Sequence, residues 1–434
     1  MESDFFSDSF SLLFGIFISD EESVVSQIVY YKLISLILVM TVLFVNEYLF
    51  NPTFGGIERV TNDIVLELTS RGNFIFIYLA ANHLDLEYEY PAETYILPEK
   101  GGFEEPKNVE FYKHLLHDCK VDLVVNQRGW KPFMNNVLEI EGVPTISVVH
   151  SSLLGALQIY MSECMNHNNS LNGWWRYLVK VLLYIPYKLY KYLSYRCYLK
   201  NHYCQLVTNS RKVVLLSHMD AEELCNMTHC SKDRVCVIPN SVRIPGEPVC
   251  LEGKKRQILY VGRLCKSEKN PIRLLKIWRL LHSVFQDWSV VIVGSGDAEI
   301  EMKRYARLHK LPRVCFEGHQ TSVGNYYRDA SIVCLTSNLE GWGLALTEGM
   351  SYGCIPYTFD NYGAARDIID NEINGFLIKP FDLRQYAAKL SAVMSNDCRR
   401  LEMARAAQRK AMDFSVSTVC DIWESLFNSL YSHK

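Results

Sequence analysis

The chain has 434 residues, 49% of them hydrophobic, with 45 lysines and arginines against 48 acidic residues and a net charge of -3. That much apolar sequence fills one large or two ordinary cores, and without a low-complexity tract to argue for disorder, two domains are expected. A charge this near balance excludes a global basic field for nucleic acid, so an anion site must be local. The 14 cysteines lack both the dense regular spacing of a secreted disulfide scaffold and a CxxC pair for zinc, which points to a reducing cytoplasm.

Asp4, Asp8, Asp20, Glu21 and Glu22 precede the first apolar run, where a secretory signal needs positive charge, so no cleaved signal is expected. The run itself, residues 28–45 interrupted only by Lys32, has the length of a membrane helix. Apolar stretches at 41–46, 74–79, 121–126 and 145–149 then alternate with helix-like stretches at 57–70 and 109–119, the pattern of a parallel sheet covered by helices.

Residues 174–200 are crowded with Tyr and Leu. On a helix Arg176, Lys180, Lys188 and Lys191 fall within about a third of the circumference, with a kink expected at Pro186. A basic stripe beside aromatic anchors fits a helix lying on an anionic membrane surface, and it equally fits a core helix with an exposed polar edge. A Pro- and Gly-containing linker at 238–253 leads to strands expected at 257–261, 289–293, 314–316, 332–336 and 355–359, again with helices between. Two doubly wound domains result, and ligands of such sheets bind beyond the carboxyl ends of the strands, in the cleft between them.

The most informative segment is Glu340-Gly341-Trp342-Gly343-Leu344-Ala345-Leu346-Thr347-Glu348, two carboxylates bracketing a strand-to-helix loop. Ser337, Asn338 and the two glycines let backbone amides approach a ligand, and a helix starting at Leu344 offers its N-terminal dipole to an anion. Around it lie Tyr260-Val261-Gly262-Arg263-Leu264 with Lys269-Asn270, then Val293-Gly294-Ser295-Gly296, Glu317-Gly318-His319, Gly353-Cys354-Ile355-Pro356, Gly363 and Asn374-Gly375-Phe376-Leu377. In order and spacing this series resembles the C-terminal domain of the GT-B glycosyltransferases of family 4. The resemblance runs from about Met40 to the C-terminus and is strongest over 257–380.

The resemblance implies an α/β fold of GT-B type, two facing Rossmann-like domains with a ligand cleft between them. Residues 40–245 would form the N-terminal acceptor-binding domain, completed by a C-terminal helix at 414–434 that carries Trp423 and Phe427 back onto it. Residues 254–413 would bind the nucleotide-sugar donor. The apolar run is divided accordingly: 41–46 becomes the first strand, the remainder is too short to span a bilayer, and residues 1–39 read as an extension or as sequence ahead of the true start.

It also implies roles. Arg263 and Lys269 match the pair that neutralises the donor diphosphate, Arg by clamping two oxygens and Lys as a point charge. Gly55 and Gly56 match the N-terminal loop that approaches the phosphates; Glu348 should accept the ribose hydroxyls, and Glu340 should lie near the donor sugar. His150, at the end of the strand 145–149, matches the histidine near the anomeric centre. Gly294 and Gly296 would admit the nucleotide close to the backbone, and the Gly318-His319 turn would hold the base through main-chain groups, beside Gly341, Trp342, Gly343 and Leu344. Trp342 stands where Phe is frequent, Gly349 where Ala is, and Gly363-Ala364 where Gly-Gly is; Gly349 costs about 1 kcal/mol within a helix.

The expected activity is a retaining, metal-independent hexosyl transfer from a UDP-sugar or GDP-mannose to a glycan or lipid-linked acceptor in envelope polysaccharide synthesis, at the cytoplasmic face and without a cofactor. The leaving phosphate would take the acceptor's proton on the front face. Two alternatives stand beside it: a sugar-nucleotide epimerase of the same fold, and a nucleotide-sugar-binding scaffold without turnover. A dehydrogenase is disfavoured, because Gly294-Ser295-Gly296 lacks the third glycine and the strand-end acid of a dinucleotide fingerprint. Candidates for acceptor contact are 132–141 and the aromatic segment after Leu171.

Overall fold

The computed structural model describes residues 39–53, 55–82, 88–100, 102–129, 142–153, 155 and 185–431. Strands β1 (Met40–Tyr48), β2 (Phe74–Asn82), β3 (Glu93–Ile96), β4 (Leu123–Asn126), β5 (Thr145–Val149), β6 (Lys212–Leu215) and β7 (Val235–Val237) form one sheet in the order β3-β2-β1-β4-β5-β6-β7. Strands β8 (Lys255–Val261), β9 (Ser289–Val293), β10 (Val314–Gly318), β11 (Ala330–Cys334), β12 (Ile355–Phe359) and β13 (Phe376–Ile378) form a second in the order β10-β9-β8-β11-β12-β13. Every strand pair is parallel. The fold is α/β, two Rossmann-like layers of GT-B type, as the motifs implied.

The continuous apolar runs follow from burial on both faces. In β1, Val42 and Phe44 pack with Val60, Ile64 and Leu68 of the helix Gly56–Ser70, while Leu43 and Val45 pack with Tyr112, Leu115 and Leu116 of the helix Pro106–Asp118. A single large core occupies the second unit, where Trp278, Trp288, Tyr357 and Tyr386 are fully buried.

The last helix, Val416–Tyr431, returns to the first sheet. Val419, Trp423, Leu426, Phe427 and Leu430 form the apolar stripe of a 3.6-residue period, and all sit in the core that contains Phe74 and Phe76. The Phe427 ring lies 5.8 Å from that of Phe74. Arg71 fastens the outer edge through Asp421 and Glu424, each at 2.7 Å.

Some expectations shift. The apolar stretch expected as a strand over 332–336 pairs only through Cys334, because Thr336, Ser337 and Asn338 turn their carbonyls to side chains instead. The strands β3, β6, β7 and β13 were not anticipated; at three or four residues each they are too short to show a period. Residues 1–38, 132–141 and 174–184, with Arg176 and Lys180, lie outside the described residues, so those readings stay as expectations.

The helix Ile185–Asn209 places Pro186 in its first described turn. Its later half packs Leu199, Tyr203, Leu206 and Val207 against β5 and β6, whereas Tyr187, Leu189, Tyr190, Leu193 and Tyr198 are exposed, Tyr190 to 67%. Among the described residues no helix is long and apolar enough to cross a membrane.

Candidate active site

Each sheet has one point where the strand order reverses and the connections leave to opposite sides, between β1 and β4 in the first and between β8 and β11 in the second. Loops diverge there and leave a crevice at the carboxyl ends. The loop after β11 is held from several directions. Arg273 donates to the Thr336 carbonyl at 3.0 Å and to Asn338 Oδ1 at 2.6 Å, and Asn361 donates to the carbonyls of Ser337 and Asn338. The amides of Asn338 and Leu339 both donate to the Glu268 carbonyl. Burial lowers the Arg273 guanidinium to about 10, which still leaves it charged at neutral pH.

That frame fixes Glu340, whose side chain is 6% exposed. One carboxylate oxygen accepts from Ser337 Oγ and the other from Lys269 Nζ, each at 2.7 Å. Glu340 and Lys269 are therefore a preset ion pair. Arg263 sits differently: its side chain is 70% exposed and pairs with Glu268 at 2.7 Å, beside the same loop.

Gly343 takes a positive φ of 92° and caps the helix Leu344–Ser351 with no side-chain hydrogen bond, so the first amides are left to other partners. Glu348 lies one turn in, with one oxygen accepting from Tyr327 Oη at 2.8 Å and the other paired with Arg59 of the first unit. Burial pushes its carboxyl above the usual range, Arg59 and Tyr327 oppose that, and Asp63 adds to it.

On the first unit, His150 follows β5, its Nε2 paired with Gln127 Oε1 and its buried Nδ1 without a partner among the described residues. Burial, then the positive Arg128, lower its pKa to about 3, so the ring is neutral at physiological pH and acts as a hydrogen-bonding group. Arg128 donates to Asn46 Oδ1 at 2.7 Å and lies 3.8 Å from Glu58 and 3.9 Å from Glu47. Asn46 lies near the carboxyl end of β1 and Arg128 follows β4, so this cluster marks the switch point of the first sheet.

The two sides touch. A β-carbon on Gly341 would lie 1.9 Å from the His150 carbonyl oxygen, and one on Gly56 would lie 2.4 Å from Leu344 Cδ1. Gly341 lets two backbones meet across the cleft, and Gly56 admits the Leu344 side chain. The structure thus gathers Glu340, Lys269, Glu348, Gly341 and Leu344 from one unit with His150, Gly55 and Gly56 from the other.

Other expected residues fall out differently. Gly294, with φ 136°, is required because a β-carbon would stand 1.9 Å from the Gly262 carbonyl oxygen, and Gly296 because one would stand 2.5 Å from that of Leu264. Both positions are constrained by strand-end packing. Gly318 accepts from the Gly294 amide at 2.7 Å, and His319 beside it is exposed at the same strand edge. The Trp342 ring is buried in the core, edge-on to Phe414 at 5.2 Å, which leaves its backbone in the loop. Arg59, Tyr327, Gln127, Arg128 and Arg273 were not singled out from sequence. The strand-end rule flags Gln127 and Arg128, whereas Arg59 and Tyr327 carry no local signal.

The model for glycosyl transferases group 1 matches residues 248–410 and that for glycosyltransferase family 4 matches residues 54–244. The chain belongs to the family 4 glycosyltransferases. It is 28% identical over 223 residues, 51% of this chain and 62% of the relative, to an uncharacterised glycosyltransferase of Haemophilus influenzae. A Campylobacter jejuni alpha-1,4-N-acetyl-D-galactosaminyltransferase, whose name specifies an undecaprenol-diphosphate-linked glycan, is 28% identical over 174 residues, 40% of this chain and 48% of that one. The matched stretch spans about half to three fifths of these relatives' own lengths. Among solved structures, Anabaena HepE in complex with UDP and glucose superposes with a TM-score of 0.64 at 16% identity, over 89% of this chain and 99% of that one. At that identity the match speaks for the GT-B fold.

Proposed function

We propose that the protein transfers a hexosyl unit from a nucleotide sugar to a glycan or lipid-linked acceptor in envelope polysaccharide synthesis, with retention at the anomeric carbon and without a metal. The observation that carries this reading is the meeting, across one cleft, of the Lys269–Glu340 pair and Glu348 with His150 and the Gly55-Gly56 loop. Arg263 and Lys269 supply fixed positive charge where a diphosphate leaves. Neutral His150 offers a hydrogen bond near the sugar, and the departing phosphate oxygen takes the proton of the attacking hydroxyl.

UDP-sugars and GDP-mannose are both candidates; the UDP and glucose named with the Anabaena structure favour UDP. The undecaprenol-linked glycan in the Campylobacter name favours a lipid-linked acceptor. The exposed face of the helix Ile185–Asn209 supports peripheral contact with an anionic membrane: Tyr187, Tyr190 and Leu193 stand beside exposed Lys191, Arg196 and Lys200, and Lys191 lies 5.7 Å over the Tyr187 ring.

The test is incubation of the full chain with UDP-hexoses, UDP-N-acetylhexosamines and GDP-mannose, in EDTA, with an undecaprenyl-diphosphate-linked oligosaccharide and anionic vesicles. Mass spectrometry reads transfer and NMR reads the new anomeric centre. One donor transferred with its configuration kept supports the reading. Sugar epimerisation without transfer points to the epimerase, and nucleotide binding with neither reaction points to the scaffold.

A further inference from the structure

We infer that Arg59 is a positioning residue of the donor site, reaching across the cleft to orient the Glu348 carboxylate for the ribose hydroxyls. The inference rests on the donor-site reading and adds a residue from the opposite domain to it. Arg59 stands in the first turn of the helix Gly56–Ser70, and its guanidinium pairs with Glu348 289 residues away. At position 56 the Leu344 side chain of the Glu348 helix packs so closely that a β-carbon would have to displace its terminal methyl, 2.4 Å away.

The chemistry requires such a cation. An ionised carboxylate only accepts hydrogen bonds and receives two hydroxyls well, whereas a protonated one loses part of that capacity. Glu348 is 16% exposed, and burial works against its charge. The groups facing it are Arg59 and Asp63 from the first unit and Tyr327 from the helix Gly324–Asp329. Asp63 opposes ionisation but is itself held by Arg243. Arg59 is the positively charged group paired directly with Glu348, so it sets the protonation state, while Tyr327 fixes the second oxygen and the rotamer. Closure of the two units and readiness of the ribose acceptor are thereby one event.

The experiment is calorimetric titration of UDP into the full chain between pH 5 and 9, for wild type, Arg59→Gln, Arg59→Lys and Glu348→Gln, with thermal melts confirming folding. Arg59 is 37% exposed, so its replacement leaves the core intact. Arg59→Gln is expected to weaken UDP about tenfold at pH 7, the scale of one charge-assisted hydrogen bond, and to move the acid limb of the binding curve to higher pH. Arg59→Lys restores most of both. Glu348→Gln weakens binding and abolishes the limb. Wild-type or tighter binding by Arg59→Gln with an unmoved limb, while Glu348→Gln is weakened, overturns the inference and leaves the donor site standing. Wild-type UDP binding by Glu348→Gln overturns the donor-site reading itself.

Discussion

Gly341 lies against the carbonyl of His150 so tightly that a β-carbon would stand 1.9 Å from that oxygen. The contact joins the residue after Glu340 to the histidine of the facing sheet, so the spacing of the cleft is written into one missing methyl group.

Gly341→Ala is accordingly expected to wedge the units apart. Transfer should fall at least about 100-fold, as a displacement near 1 Å at a reacting site does, while the melting temperature changes little, since neither core is touched. A variant with wild-type turnover would show that the contact is dispensable.

Lys269 and Glu340 form a largely buried ion pair in the cleft, their side chains 21% and 6% exposed. Removing Lys269 strands a carboxylate that is 6% exposed, and breaking such a pair costs about 3 kcal/mol. Lys269→Met should both abolish transfer and lower stability in urea denaturation. Lys269→Met with Glu340→Gln should recover much of the stability and none of the activity, which separates the structural from the chemical role.

Glu348 carries the opposite sign. Burial raises its pKa from the ordinary 4.5, so the folded state holds the proton more tightly than the unfolded chain. Its stabilising contribution is present below pH 4.5 and is lost as pH rises through the raised folded value. Glu348→Gln should therefore melt at or above the wild-type temperature at pH 7 while losing nucleotide affinity. A large drop in melting temperature would mean that the Arg59 pair outweighs burial.

His150, at about 3 against an ordinary 6.5, behaves as a buried neutral base. The unfolded chain binds the proton first as pH falls, so this contribution is full above 6.5 and is lost on descending toward 3. His150→Gln should flatten that part of the pH–stability curve in denaturant titrations. It should also cut transfer by about 10 to 100-fold without a large change in nucleotide affinity, as loss of one preorganised hydrogen bond does.

Phe427 and Trp423 test the returning helix. Both are buried against the first sheet, and Phe427→Ala should cost about 3 to 5 kcal/mol. The loss should appear as an earlier transition with exposure of the first unit, read by hydrogen exchange at β1 and β2.

Strands such as 145–149, 289–293 and 355–359 were legible residue for residue, because a strand buried on both faces must be an unbroken apolar run. The strand expected at 332–336 was legible only as a run; its last two residues belong to the site loop, where Tyr386 donates to the Leu335 carbonyl and Arg273 to that of Thr336. Trp342 read as a site residue from its place in the motif, yet its side chain turned inward to Phe414. Sequence order marks a loop without saying which way each side chain faces.

By itself, then, the sequence determined the two doubly wound sheets and the glycine loops at their carboxyl ends, while its resemblance to the family marked Glu340, Glu348, Lys269 and His150 as candidates. Local periodicity and backbone freedom are properties of neighbouring residues. Only the tertiary structure decided the partners: Lys269 with Glu340, 71 positions apart, and Arg59 with Glu348, 289 apart. The first pairing depends on how the loops after β8 and β11 meet within one unit, and the second on how the two domains meet, through contacts such as Gly341 on His150 and Gly56 on Leu344, which no window along the chain contains.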